Sequence, residues 1–204
     1  MPAVALSLEK TTRDLILDAM DGLMARYGFR KTTVEDVARE ARVSRRTIYT
    51  YFASKEELGL ASFERVVLRA LDRMEQELSA PDSADARLRR MLAVRVMERV
   101  EAVQEYHVSL DELFEPVRPE YMAQRARFFD RERALIVIAL ESGVSDGVFH
   151  VRNVQSVASS LLLATNAFLP YSLSVRELGT PATIRARLDA VLDLLLRGLA
   201  PSSG

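Results

Sequence analysis

Residues 33–58 predict two short amphipathic helices joined by a tight turn. Thr33 can cap the first helix, whose opening turn carries acidic side chains that suit the positive end of the helix dipole. Ser44 can cap the second helix, which is predicted from Arg45 to about Tyr51. The apolar side chains that recur at helical spacing and would face a core are Val34, Val37, Ala38, Ala41, Ile48 and Phe52. This pattern is typical of a helix-turn-helix, whose second helix enters the major groove of DNA.

The other side chains of this segment have the chemistry that binding to DNA requires. The candidate DNA contacts are Thr33, Arg45, Arg46, Thr47, Tyr49, Tyr51 and Lys55. Arginine can bind guanine or phosphate through two parallel N–H groups, and the hydroxyls of threonine and tyrosine can reach phosphate. Lys55 would begin the next helix and anchor the DNA backbone as a point charge. Two interpretations of Tyr51 stay open, packing in the core and contact with phosphate.

The charge of this segment separates it from the rest of the chain. Residues 26–55 hold eight Lys or Arg and three Asp or Glu, a net charge of +5, whereas the whole chain has a net charge of −1. The remaining residues therefore carry −6. A basic region on a slightly acidic protein is an electrostatic footprint for a polyanion. Without the ordered motif around them, the arginines would indicate only a solvated helix face.

The motif resembles the DNA-binding domain of TetR-family transcriptional regulators. The matching positions are Gly28, Phe29, Thr32, Thr33, Val34, Val37, Ala38, Ala41, Val43, Ser44, Thr47, Ile48, Tyr49, Tyr51, Phe52, Lys55, Glu56, Glu57 and Leu58. The resemblance implies an all-α fold, with a helix-turn-helix head at residues 1–57 and a helical effector-binding and dimerisation domain at residues 58–204. It also implies a homodimeric repressor that a small-molecule effector releases from a pseudo-palindromic double-stranded DNA operator, with no cofactor.

One position departs from the family pattern, because Arg42 stands where the family usually has glycine. That turn position often requires a positive φ, which costs a residue with a side chain roughly 1 kcal/mol. We expect a slightly rearranged turn, and the alternative is that Arg42 adds a phosphate contact.

Composition limits the class of protein further. The 204 residues include 49% hydrophobic and 28% charged residues, which is ordinary for a soluble globular protein. Cysteine is absent, which excludes disulfides and thiolate chemistry. No N-terminal run resembles a signal peptide, and the most apolar stretch, residues 154–173, contains polar residues and a proline that make it a poor membrane span. We therefore expect a cytoplasmic protein with no membrane partner.

The periodicity predicts about nine helices and no convincing strand. After the two helices of the motif, the predicted ranges continue from residue 55 to about 78, 84–103, 106–114, 120–142, 154–173 and 181–198, and a first helix covers about 12–27. Pro116 and Pro119 are the reason for separating residues 106–114 from 120–142. Residues 1–10 are predicted to be a loose arm. Lys10 and Arg13 are in reach of DNA phosphates in one interpretation, and a disordered start is the favoured one.

The last two predicted helices carry apolar surfaces too wide for a helix that packs on one side only. One face would pack internally and the other would meet a second subunit, and the resemblance implies a four-helix bundle made by two protomers. The predicted interface residues are Leu161, Thr165, Leu188, Val191, Leu192 and Leu195. The alternative is that both helices are central core helices of a monomer.

The resemblance also implies a small-molecule pocket in the helical body. The candidate lining residues, chosen as inward aromatic residues and isolated polar groups, are Phe63, Met91, Arg95, Tyr106, His107, Leu110, Phe114, Tyr121, Phe128, Asn166 and Phe168. This mixture indicates an apolar or aromatic ligand. For Asn166, two roles stay open: orienting the ligand, or hydrogen bonding across the dimer interface.

Other functional classes find less support in the sequence. An enzyme is disfavoured, because the chain has no Gly-rich phosphate loop, nucleophile elbow or paired histidine motif. His107, Asp111 and Glu115 share one helical face and could hold a cation, but a salt-bridged surface is favoured. An interaction or ligand-binding module without operator binding, and a transcriptional activator, remain alternatives. The effector, the operator, the regulated genes and the number of dimers per operator do not follow from the sequence.

Overall fold

The computed structural model describes residues 10–105, 110–169 and 179–201, with the side chains of residues 103–120 left aside. These ranges contain eight helices and no strand, which confirms the all-α prediction. The helices are α1 (Thr12–Tyr27), α2 (Val34–Glu40), α3 (Arg45–Tyr51), α4 (Lys55–Leu78), α5 (Ala84–Glu105), α6 (Leu110–Ser145), α7 (Val154–Asn166) and α8 (Pro181–Arg197). None of them is long and apolar enough to cross a membrane.

The predicted helix starts are confirmed by the hydrogen bonds at the caps. Thr33 accepts from the N–H of the third residue of α2, and Ser44 accepts from that of α3. Ser54 does the same for α4, since the N–H of Glu57 donates to Ser54 Oγ at 3.0 Å. Thr180 caps α8, with a proline at its first position, as predicted.

The predicted break at Pro116 and Pro119 is wrong, because α6 runs without interruption from Leu110 to Ser145. A proline inside a helix removes one backbone hydrogen bond and bends the helix, but the flanking hydrogen bonds can keep it continuous. The prediction for residues 154–173 is too long, since α7 ends at Asn166. Pro170 explains the early end, because it disfavours helical geometry in the residue before it and cannot donate to the helix.

The contacts of the described residues divide them into two units. The first, here called the head, comprises residues 10–63 and 110–118, and in it α1 packs on α2 and α2 packs on α3. Its core side chains include Ile16, Leu17, Met20, Val37, Ile48 and Phe52. This core holds α3 by one side only, so the opposite side of α3 faces outward.

The second unit, here called the body, comprises residues 64–105, 119–169 and 179–201. Its central helix is α5, which packs against α7 and α8. The core includes Leu88, Leu92, Val96, Ile136, Leu140, Leu161, Leu188 and Leu192. The body therefore has a hydrophobic core of its own.

The turn between α2 and α3 keeps the geometry that glycine would adopt. Arg42 has φ of 55°, the left-handed region. Its N–H donates to Arg39 O at 3.2 Å, and the N–H of Val43 donates to Ala38 O at 2.9 Å. These two bonds are the Schellman pattern that ends many helices. The expected rearrangement of this turn is therefore wrong, and the backbone strain stays at Arg42.

We expect Arg42→Gly to raise the free energy of unfolding of the protein by roughly 1 kcal/mol, because glycine adopts a positive φ without steric cost. Thermal unfolding should show a melting temperature about 2–4 °C higher. Arg42→Ala is the matched control, since it removes the same charge but keeps the Cβ that causes the strain. Equal melting temperatures for the two variants would contradict this explanation.

Candidate nucleic-acid interface

The outward side of α3 presents a row of polar and aromatic side chains. Arg45, Arg46, Tyr49 and Thr50 are exposed, whereas Ile48 is buried in the head. The helix begins where Ser44 Oγ accepts from the N–H of Thr47 at 3.0 Å, which also holds the Thr47 hydroxyl 2.8 Å from Ser44 Oγ. Because Ile48 anchors the buried side of the helix, Arg45, Arg46 and Tyr49 are held on the exposed side.

Arg45 is held in place by two neighbours. Its Nη1 lies 2.5 Å from Oε1 of Glu35 on α2, and its Cζ lies 5.9 Å from the ring centroid of Tyr49. A hydrogen bond with Tyr49, and then the negative charge of Glu35, raise the pKa of the Arg45 guanidinium above its ordinary value. Arg45 therefore carries a full positive charge in a defined position.

Arg46 is exposed like Arg45, but it makes no ion pair with any residue in the described ranges. Lys31 and Arg42 share this property. The acidic residues Asp36 and Glu40 pair with arginines of α1 and α2: Asp36 Oδ1 lies 3.2 Å from Arg39 Nη1, and Glu40 Oε1 lies 2.6 Å from Arg26 Nη2. Of these three cations, Arg46 lies on α3 and Arg42 lies in the turn before it, whereas Lys31 lies between α1 and α2.

Tyr51, the last residue of α3, and Phe52, which follows it, have different environments. The side chain of Tyr51 is 43% exposed, and Phe52 is buried. The guanidinium of Arg13, on α1 as predicted, lies 5.4 Å from the Phe52 ring centroid. Tyr51 is therefore accessible to a DNA backbone, and Phe52 belongs to the core.

Lys55, the first residue of α4, packs against the head. Its Nζ lies 4.4 Å from the ring centroid of Phe29 and donates to Arg30 O at 3.3 Å. The side chain is partly exposed. A change at Lys55 would therefore disturb packing as well as any contact with phosphate, which the sequence did not indicate.

Thr33 uses its hydroxyl in the cap of α2. Thr33 Oγ1 donates to Asp36 Oδ2 at 2.6 Å and accepts from the N–H of Asp36 at 3.1 Å. Hydrogen bonds from the side chain and backbone of Thr33 lower the pKa of the Asp36 carboxyl. Thr33 thus has a structural role, and its candidate DNA contact would compete with the cap.

The predicted pocket residues divide into several groups. Phe63 is buried in the head, Met91 and Arg95 are buried in α5, and Tyr121 is buried in α6. The partly buried ones are Phe128, Asn166 and Phe168. Tyr106 and His107 lie outside the described residues, and the same holds for the side chains of Leu110, Phe114, Asp111 and Glu115. A groove of about 290 Å³ in the body is lined by charged residues of α4, α5 and α8 and by apolar residues of α5, and it contains none of the predicted lining residues.

Arg95 and Asn166 meet in a buried polar network. Arg95 Nη2 donates to Asn166 Oδ1 at 2.6 Å and Nη1 donates to Thr165 Oγ1 at 2.9 Å, while Nε donates to Glu132 Oε2 at 2.8 Å. Arg99 donates to the other Glu132 oxygen. The amide oxygen of Asn166 therefore binds within the subunit, a role that neither sequence hypothesis included.

Glu132 is a carboxylate that these two buried arginines share. Burial raises the pKa of its carboxyl, but the positive charges of Arg99 and Arg95 and their hydrogen bonds outweigh that effect and lower it below its ordinary value. Glu132 is therefore ionised at neutral pH. The network joins α5, α6 and α7.

The six predicted interface residues lie at different depths in the protomer. Leu161, Thr165, Leu188 and Leu192 are buried in the protomer, and Leu195 packs partly against the same core. Val191 is partly buried. The apolar side chains that α7 and α8 expose are Leu163, at 68%, and Leu194, at 72%. Each helix is apolar around most of its circumference, so the periodicity did not indicate which face turned inward.

Comparison with known proteins agrees with this geometry. The model of the tetR family of bacterial regulatory proteins matches residues 16–61, which include α2 and α3. The fatty acid metabolism regulator protein of Bacillus subtilis is 30% identical over 73 residues, 36% of this chain and 38% of that protein. The HTH-type transcriptional regulator AlkX of Mycobacterium tuberculosis is 38% identical over 68 residues, 33% of this chain and 32% of that protein. The matches thus span about a third of the length of these relatives.

The fold extends beyond the matched segment. A transcriptional regulator from Cytophaga hutchinsonii superposes with a TM-score of 0.74 over 92% of this chain and 97% of that structure, at 20% identity. This likeness shows that the arrangement of a helix-turn-helix head and a helical body is a known fold. Residues 16–61 therefore match the tetR family of bacterial regulatory proteins, and the chain as a whole has the fold of this solved regulator.

Proposed function

We propose that the protein is a sequence-specific DNA-binding transcriptional regulator whose helix α3 enters the major groove. The observation that carries the proposal is the exposed row of Arg45, Arg46 and Tyr49 on a helix whose other side is anchored by buried Ile48. Arginine can read guanine in the major groove, and exposed hydroxyls and cations can bind the phosphates on either side. The names of the relatives, both regulators, support the same function.

We expect Arg46→Ala to weaken binding to every DNA duplex and to lower the slope of log affinity against log salt by about one. Arg46 is exposed and has no ion pair in the described ranges, so its loss should leave the fold intact. Fluorescence anisotropy at several salt concentrations measures both quantities. Arg152→Ala is the control, since it removes an exposed charge from a loop of the body. The same slope in Arg46→Ala and in the parent would exclude Arg46 from the interface.

The protein is a homodimer in this proposal, with the exposed faces of α7 and α8 as the contact surface. Leu163 and Leu194 support this choice, because each exposes most of an apolar side chain on a helix that already packs on α5 by another face. A two-fold dimer presents two recognition helices to two half-sites, one helical turn of DNA apart. Two copies of α3 therefore require a pseudo-palindromic operator.

The regulator acts as a repressor in this proposal, because occupying an operator is sufficient to exclude polymerase. A small apolar or aromatic effector would release it, and the printed name of the B. subtilis relative, a fatty acid metabolism regulator, is compatible with an apolar effector. Thermal-shift screening of apolar, aromatic and highly charged compounds tests this point. A shift with highly charged compounds alone would contradict it. Increased expression from a reporter on protein binding would indicate an activator instead.

Selection of bound sequences from a pool of random duplexes tests the function itself. The expected product is a pair of inverted half-sites whose centres lie about 34–36 Å apart. Enrichment of no sequence would favour an interaction or ligand-binding module without operator binding.

A further inference from the structure

An acidic side chain contacts the N-terminal end of α3, the proposed recognition helix. Glu35 is the second residue of α2, and its Oε1 lies 2.5 Å from Nη1 of Arg45, the first residue of α3. The N-terminal residues of a recognition helix are the ones that reach base edges. Glu35 therefore binds the arginine that is best placed to read a base.

The contact with Glu35 engages Nη1 of the guanidinium, and a hydrogen bond with Tyr49 engages the group a second time. Arginine has five N–H donors in a rigid planar fork, and the contact uses Nη1. The ring of Tyr49, one turn later on α3, lies 5.9 Å from Arg45 Cζ and restricts the group further. The remaining donors can still make the bidentate contact with O6 and N7 of guanine.

This ion pair contributes little to the stability of the folded protein. The side chains of Arg45 and Glu35 are 57% and 49% exposed, and exposed ion pairs have small effects on stability. Its effect on binding is larger, since a long side chain that is already ordered loses less conformational entropy when it binds a base. A carboxylate close to the DNA phosphates also repels the duplex, and this repulsion is not offset where Arg45 finds no guanine to bind.

We propose that Glu35 is a specificity-determining residue, which holds Arg45 for a guanine of the operator and weakens binding to other DNA. This inference depends on the proposed function, because it needs α3 to lie in a major groove. In this proposal, Glu35 strengthens binding to the operator and weakens binding to other DNA. It therefore raises the ratio of operator affinity to non-operator affinity.

The chain offers a matched control on the same helix. Glu40 is half exposed like Glu35, and it pairs with Arg26 of α1 at 2.6 Å, away from α3. Glu35→Gln and Glu40→Gln each remove one negative charge from the head and keep the size of the side chain. Any difference between them therefore reflects position rather than charge.

The experiment compares the parent, Glu35→Gln and Glu40→Gln on the selected operator, on the operator with single guanines replaced, and on a scrambled duplex. We expect Glu40→Gln to tighten both affinities alike and to keep the parent's ratio. We expect Glu35→Gln to bind scrambled DNA as tightly as or more tightly than the parent, while the ratio falls by about tenfold, as loss of one base contact implies. The loss should map to a single guanine, and circular dichroism verifies that each variant is folded.

An unchanged ratio in Glu35→Gln would overturn the proposal, and so would a loss spread over all positions of the operator. The parent protein separates this failure from that of the proposed function. If the parent binds operator and scrambled DNA equally, the proposed sequence-specific function itself fails. If the parent discriminates and Glu35→Gln discriminates equally well, only the role of Glu35 fails.

Discussion

Replacing Glu132 by glutamine is expected to lower the free energy of unfolding by about 3–5 kcal/mol, the usual cost of removing one partner from a buried ion pair. The substitution leaves the guanidinium groups of Arg95 and Arg99 in the core of the body without the carboxylate that both now share. Urea denaturation followed by circular dichroism measures the change. A variant within 1 kcal/mol of the parent would show that the network tolerates the loss of its carboxylate.

Asp189→Asn is the control for this prediction, because Asp189 pairs with Arg185 on the surface of α8, where both side chains are about half exposed. Its effect should stay below about 0.5 kcal/mol. The pH dependence gives an independent test. Because the folded protein lowers the pKa of Glu132, the carboxylate's contribution is complete above the unfolded pKa and is lost as pH falls through the folded value. Glu132→Gln should therefore lose less stability on acidification than the parent does.

The double substitution of Leu163 and Leu194 by arginine is expected to separate the proposed dimer and to lower operator affinity by about two orders of magnitude or more. A dimer binds its second half-site as an intramolecular event, which multiplies affinity by about 10²–10⁴ over a single module. Both side chains are mostly exposed in the protomer, so the arginines should not disturb its core. Analytical ultracentrifugation measures the assembly, and anisotropy measures the affinity.

Ile138→Arg is the matched control for the dimer prediction. Ile138 is also an exposed apolar residue of the body, but it lies on α6. This variant should remain dimeric and bind the operator as the parent does. A stable dimer in the double variant would contradict the interface on α7 and α8. A monomeric parent would favour the alternative that these helices are core helices of a monomer.

The parts of the fold that local interactions determine were predictable from the sequence. Thr33, Ser44 and Ser54 each bond to a backbone N–H three residues later, so the cap and its partner lie together in the sequence. The outward direction of Arg45 and Arg46 follows in the same way, from their spacing relative to Ile48. The candidate DNA surface depends mainly on such short-range relations.

The parts that depend on distant residues were not predictable. Arg95 and Asn166 were singled out as isolated polar residues, but nothing in the sequence pairs them with each other or with Glu132, which is 37 residues beyond Arg95. The ion pair of Glu35 and Arg45 was also missed, although the two residues are only ten positions apart. They lie on different helices, and the contact depends on the geometry of the turn between them. Periodicity predicts which side of a helix is apolar, and it does not predict the partner that covers it.

Prediction from periodicity is limited in the same way for α7 and α8, the two apolar helices of the body. Leu161 was predicted as an interface residue and is buried in the protomer, whereas Leu163, two positions later on the same helix, is exposed. Choosing between them requires the position of α5, which packs on one face of α7. A helix that is apolar on nearly every side gives no local signal of this choice.

Equilibrium binding to the DNA that flanks the protein's own coding region tests the central claim most directly. The purified protein is titrated against that fragment and against a scrambled duplex of equal length, at one stated moderate salt concentration, since affinities without the salt concentration have no meaning. Sequence-specific regulation predicts a large preference for the native fragment, on the order of 10³-fold or more. Undetectable binding to both duplexes would contradict the account.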